Sequence, residues 1–284
     1  MMTLVLSISC SVAVSVLLKL AKPYHLKISQ SIAVNYVIAS FLCLVLLQPR
    51  FEDLGDTTIA WSLLLLLGVL LPSIFLIMAA AVKQAGIVLS DAAQRLSLLL
   101  PLLASFLFFG ETATPGKLLG ILCALVALGC LLARSSSPNP KAALPVPATV
   151  LLLLGVWLGY GSIDILFKQL ARTGAHFATS LLGSFVLAGV LMFGSLLFGR
   201  AQWHRPSLGA GVILGLLNFG NIYFYIRAHQ AFPEHPALIF SAMNIGVISL
   251  GALVGTVLFS EKLSRINWFG LLLSVVAIIL LLPR

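Results

Sequence analysis

Charge is what this chain has least of. Only 9% of its 284 residues are Asp, Glu, Lys or Arg, against roughly 25% in an ordinary soluble domain. Polar groups are too few to cover a water-facing surface, so most of the surroundings must be lipid. The cysteines also lack a chemical pattern. Cys10, Cys43, Cys123 and Cys130 fall inside apolar runs with no CxxC spacing and no nearby His, which speaks against metal or disulfide roles and for small residues packed between helices. No nucleophile elbow, Walker loop or HExxH motif occurs, so the chain carries no ATPase of its own, and neither a metal nor a cofactor is expected. No small-residue cleavage site follows Lys19, Lys22 and Lys27, so the first apolar run reads as a retained helix rather than a signal peptide.

What the chain has in abundance is hydrocarbon: 60% of its residues are hydrophobic. A bilayer core of about 30 Å needs about 20 apolar residues at 1.5 Å each, and ten such runs can be read, at 3–21, 29–48, 59–82, 86–109, 116–134, 147–168, 177–199, 208–228, 236–259 and 266–283. The net charge of +9 comes from seventeen Lys and Arg against eight Asp and Glu, and apart from Arg95 the basic residues stand singly or in pairs at the ends of these runs or between them. In such positions they mark helix ends and meet lipid headgroups, so lipid is the expected partner and nucleic acid is not. The most extended connection, RSSSPNPKAALPVP from Arg134, is rich in Ser and Pro and falls after the fifth run. It reads as a linker.

The two sides of that linker repeat. Phe108, Phe109, Gly110, Glu111 and Gly120 match Leu258, Phe259, Ser260, Glu261 and Gly270 at a constant offset, which also sets Gln94 against Asn244. Leu166, Phe167, Lys168 and Ala171 lie over Leu17, Leu18, Lys19 and Lys22 at an offset one residue shorter. Each repeat holds five runs, an odd number, so the second must enter the bilayer from the opposite side. The expected fold is therefore an all-α integral membrane protein of about ten transmembrane helices, built as two inverted five-helix repeats. Residues 1–134 form the first repeat, 135–146 the linker and 147–284 the second, with a binding site near the midplane between them.

These residues resemble the EamA-type carriers of the drug/metabolite transporter superfamily. The similarity rests on Phe-Phe-Gly-Glu running into Lys-Leu-Leu-Gly-Ile in the first repeat. Asn-Ile-Gly-Val, Leu-Phe-Ser-Glu-Lys-Leu and Asn-Trp-Phe-Gly stand for it in the second, and the resemblance covers nearly the whole chain. It implies a ten-helix carrier, often an exporter of amino acids or related metabolites and in some members of drugs, proton-coupled or facilitative. The fold class does not name the substrate.

Ionisable groups inside a spanning helix cost at least about 2.5 to 3.5 kcal/mol and default to functional candidates. Asp91 and Arg95 are four apart on the fourth run, and Asp164 and Lys168 are four apart on the sixth. Each pair shares a helix face and can neutralise itself, as a structural ion pair or as substrate and proton machinery. Asp91 and Asp164 are the candidates for proton coupling. Lys168 ends its run and can snorkel to headgroups. Gln94 and Asn244, equivalent in the two repeats, are the preferred polar lining of the site, with interhelical hydrogen bonding as the alternative. Asn218, Asn221 and Tyr223 on the eighth run and Asn35 with Tyr36 on the second are further candidates, although Tyr223 and Tyr225 also suit an interfacial belt near Arg227. Glu111 and Glu261 sit in short turns and are read as stabilising the N-terminal dipole of the helix that follows each.

The function expected is that of a secondary carrier for a small metabolite, an exporter of an amino acid or related compound that works by alternating access. An intramembrane enzyme and a channel are the rival classes. Monomer and homodimer are both open, and the resemblance implies a bacterial cytoplasmic membrane with both termini inside. Odd-numbered connections hold ten Lys and Arg against six in the even ones plus the C-terminus, which by the positive-inside rule favours the opposite orientation.

Overall fold

A computed structural model of the chain describes residues 2–49, 58–100, 103, 115–132, 146–172, 176–232 and 236–281. Every regular element among them is helical, because a lipid-facing backbone must satisfy its own N–H and C=O groups. The helices are α1 (Met2–Leu20), α2 (Ile28–Leu47), α3 (Thr58–Ala85), α4 (Ile87–Leu96), α5 (Pro115–Leu132), α6 (Val146–Arg172), α7 (Phe177–Phe198), α8 (Arg205–Ala231), α9 (Pro236–Val257) and α10 (Arg265–Leu281). Six of the helices are long and apolar enough to cross a membrane. Val5, Phe41, Leu65, Val190 and Leu272 are among the large apolar side chains turned outward. This is the surface of a multi-pass membrane protein. The linker residues 135–145 and Glu111 lie outside the described residues.

The apolar runs foretell these helices to within a turn, with one difference. The run over 86–109 is interrupted, since α4 stops at Leu96 and a turn follows at Ser97 and Leu98. One local cause is visible: the Ser97 hydroxyl donates to the Gln94 carbonyl at 2.6 Å, competing with the helical ladder. The Leu96 carbonyl left over at the break accepts from Trp157 Nε1 at 3.0 Å, which ties α6 to the end of α4.

Hydrogen bonds show which helix ends lie together. At what we call the lower end, Gln30 Nε2 donates to Gln202 O and the Lys27 amide to Ser207 Oγ, both at 2.8 Å, joining the start of α2 to the start of α8. Lys19 Nζ reaches Val82 O at 3.4 Å, joining the ends of α1 and α3, and Asn267 Nδ2 reaches Cys130 O at 3.1 Å, joining the start of α10 to the end of α5. At the upper end Cys43 Sγ meets Ala178 O at 3.6 Å, setting the end of α2 beside the start of α7.

Between these ends α5 packs on α10, α4 on α9 and α2 on α7. Helix α1 lies against α8 and α9, α6 lies against α3 and α4, α8 also flanks α2, and α3 flanks α7. The α2–α8 contact depends on two missing side chains. A Cβ on Gly211 would stand 2.7 Å from Ser31 O, and one on Gly215 would stand 3.0 Å from Asn35 O. The glycine spacing of four residues thus presents a smooth helix face on which two backbones approach closely.

Candidate functional site

Two adjoining cavities, of about 390 and 280 Å³, lie between the helices and share Gln94, Tyr160, Asp164, Phe177, Asn221 and Ile222. The larger compartment is mainly apolar, with Leu71, Ile74 and Phe75 from α3, Phe167 from α6, and Leu181 and Phe185 from α7. The smaller holds Arg95, Ser97, Tyr225 and Asn244. One continuous space therefore has a greasy part and a charged part, the usual composition of a small-molecule site.

The polar residues reach this space from several helices. Gln94, half-buried on the last turn of α4, stands where the compartments meet. Arg95 beside it donates to Ser11 Oγ of α1 at 2.7 Å and to Asn244 Oδ1 of α9 at 3.5 Å, so the two amides of the sequence repeat do converge on one region. Asn221 lines both compartments, while its carbonyl and Oδ1 each accept from Ser7 Oγ at 2.9 Å. Asn218 lines the larger compartment and donates to Asn35 Oδ1 at 3.2 Å. Asp164 lines both and remains exposed to the open space.

Three candidates lie elsewhere. Asp91 lines neither compartment. It is 2% exposed, its Oδ1 accepts from Ser15 Oγ at 2.6 Å, and Gly251 of α9 closes over Oδ2. Asp91 and Arg95 thus bond to other helices and do not close the direct pair that their spacing allows. Asn35 is fully buried between α2 and α8. Tyr223 faces away from the cavity into a shallow recess with Thr3 and Arg227, where Arg227 Nε donates to its hydroxyl at 3.2 Å.

Ser11, Ser15, Tyr160, Tyr225 and Phe177 line the cavity without having been singled out as its walls. The signal for three of them was present: Ser11 and Ser15 lie four apart on α1, and Tyr160 lies four before the candidate Asp164 on α6, so each pair shares a helix face.

Glu261 also departs from expectation. It does not serve the N-terminus of α10, the helix after it, but that of α4. Its carboxylate accepts from the backbone N–H groups of Ile87 at 2.7 Å and Val88 at 3.2 Å, and from Lys19 Nζ at 3.0 Å. A buried carboxylate with a cation and two helix-terminal donors is well satisfied, but the partners come from remote sequence.

The helical bundle and its interior cavity define the class: a polytopic α-helical membrane protein with a polar and apolar space between its helices. No family model matches the chain. It is 49% identical over 287 residues to an "Uncharacterized protein" of Haemophilus influenzae (strain ATCC 51907 / DSM 11121 / KW20 / Rd), the match spanning 98% of this chain and 96% of that one. The chain belongs to the same family as that protein.

Proposed function

We propose that this protein is a secondary carrier of the EamA type, with ten spans in two inverted five-helix repeats, that moves a small zwitterionic metabolite without ATP. The observation that carries the reading is the cavity, which draws its walls from α1, α2, α3 and α4 of the first half and from α6, α7, α8 and α9 of the second. A site between repeats is where a carrier that alternates between two faces must hold its substrate. The packing pattern supports the repeats as well. If each helix of α1–α5 is exchanged with its counterpart in α6–α10, the α1–α8 contact becomes α6–α3, α2–α8 becomes α7–α3, and α1–α9 becomes α6–α4. The pairs α2–α7, α4–α9 and α5–α10 map onto themselves, as a two-fold axis requires.

The two compartments suggest the substrate class. Arg95 offers a guanidinium fork to a carboxylate, Asp164 offers an acceptor to an ammonium group, Gln94 orients the ligand, and the apolar compartment takes a hydrocarbon side chain. An amino acid or related metabolite meets all these demands. Asp164, exposed to the cavity, is also the better placed of the two acids for carrying a proton. Export across a bacterial cytoplasmic membrane is the direction in keeping with the family resemblance.

Purified protein in liposomes should move a labelled amino acid or close relative without ATP, tested with a panel of amino acids, nucleosides and drugs. No flux across the panel, combined with cleavage of a peptide or lipid substrate, would replace the carrier with an intramembrane enzyme.

A further inference from the structure

The bundle has a second cluster of charge that the cavity does not use. Glu261 is 8% exposed at the lower end and gathers Lys19 from α1 and the first N–H groups of α4 around its carboxylate. Its place is built in several ways. The Glu261 amide donates to Gly255 O at 3.0 Å after a left-handed Ser260 at φ 51°, which aims the side chain back into the bundle. A Cβ on Gly255 would stand 2.9 Å from Oε2, and one on Gly86 would stand 2.6 Å from the carboxyl carbon. Gly86 also holds φ 93°, open to glycine and strained for other residues.

Cluster and cavity lie at different depths along the same helices. On α4, Gln94 and Arg95 line the cavity roughly 9 to 12 Å along the axis from the clasped Ile87 and Val88, at 1.5 Å per residue. On α1, Ser11 and Ser15 line it while Lys19 lies on the next turn, in the cluster. Between them Leu18, Val82, Val88, Ala92 and Ile248 pack as one buried apolar core. Toward the upper end the cavity reaches Phe177, the first residue of α7, which lines both compartments and is 52% exposed.

We propose that the Glu261, Lys19 and α4 N-terminus cluster is the closed lower gate of the carrier, and that its separation is the step that turns the cavity from the upper end to the lower. The proposal rests on the carrier reading. It follows from which parts are joined: Lys19 and α4 belong to the first half and Glu261 to the second, so rocking one half against the other at this end must part them. Hydration offsets part of the cost of parting: a carboxylate, an ammonium and helix-terminal N–H groups at the end of a bundle exchange one another for water on opening, while the apolar seal beside them must still expose hydrocarbon.

The test uses a variant whose four native cysteines are replaced, with a single reporter at Ala92→Cys in the seal or at Ile222→Cys in the cavity, and a membrane-impermeant maleimide applied from each face in turn. With the gate intact, Ile222→Cys is labelled from the upper face and Ala92→Cys from neither. Glu261→Gln should raise lower-face labelling of Ala92→Cys about tenfold, the population change expected when a charge-assisted contact is weakened. Lys19→Gln, which keeps both backbone bonds, should raise it less. Unchanged labelling in either folded variant would overturn the gate. A third arm leaves the cluster unsubstituted: in the Ile222→Cys reporter, carbodiimide coupling of Lys19 to Glu261, confirmed by peptide mass, should abolish flux and leave Ile222→Cys labelled from the upper face. Normal flux through the coupled protein would discard the gate and keep the carrier, whereas a labelling shift in a protein with no flux for any substrate would keep the gate and discard the carrier.

Discussion

Replacing Gln94 with Ala separates substrate recognition from folding more cleanly than other changes in the cavity. Its side chain borders both compartments and is half-buried, and among the described residues no hydrogen bond engages its amide. Removing it therefore leaves no protein group without a partner, and the stability cost should stay within about 0.5 kcal/mol, as for substitutions away from any bonded network. If the amide orients the substrate through one bond to a charged group, transport efficiency should fall by the worth of that bond, about 1.5 to 3 kcal/mol, or roughly 10- to 100-fold. Asn244→Ala makes the contrast. It is 6% exposed and accepts from Arg95, so its loss should lower transport and thermal stability together. The assay is initial-rate uptake into proteoliposomes, paired with thermal unfolding in detergent. Gln94→Ala with normal transport and normal stability would refute the assignment of the cavity as the substrate site.

Other substitutions test other parts of the account. Asp164→Asn should reduce transport of an ammonium-bearing substrate roughly 10- to 100-fold while the protein stays folded, and Asp91→Asn, behind Ser15 and outside the cavity, should leave substrate affinity nearly unchanged; radioligand binding compares the two. Gly215→Val places a Cβ 3.0 Å from Asn35 O and 2.6 Å from the Ile38 Cβ, an overpacking that should cost about 1 to 3 kcal/mol and show as reduced membrane abundance. Trp157→Phe removes the donor to the Leu96 carbonyl at the break after α4 and should lower stability by about 1 kcal/mol, read as a fall in the unfolding midpoint.

The fold was largely legible because the solvent makes it so. In lipid an apolar run of sufficient length has no alternative to helix, and its ends are marked by charge, which is why runs read by length alone find the observed helices. The break after Leu96 coincides with a serine hydroxyl turned onto the backbone inside an apolar stretch, a detail that hydropathy averages away. The site was legible in composition but less so in direction. On α8, Asn218, Asn221, Ile222 and Tyr225 follow helical spacing and share the cavity face, while Tyr223, five positions after Asn218, points to the far side; the helical period alone could have separated them. For Asp91 it could not. The acid precedes Arg95 by one turn, yet Ser15 of α1 and Gly251 of α9 claim it, and neither neighbour is deducible from local spacing. Glu261 misled for the same reason, since the nearest helix N-terminus in sequence is not the nearest in space.

The most direct measurement of the central claim is counterflow. Proteoliposomes are preloaded with unlabelled substrate and diluted into a trace of the labelled compound. A carrier that exposes one cavity to each face in turn should accumulate label transiently above its outside concentration, with saturation as the outside substrate rises, and Gln94→Ala should blunt that overshoot. Label that only equilibrates, at a rate linear in concentration and indifferent to the preload, would mark a channel and contradict the account.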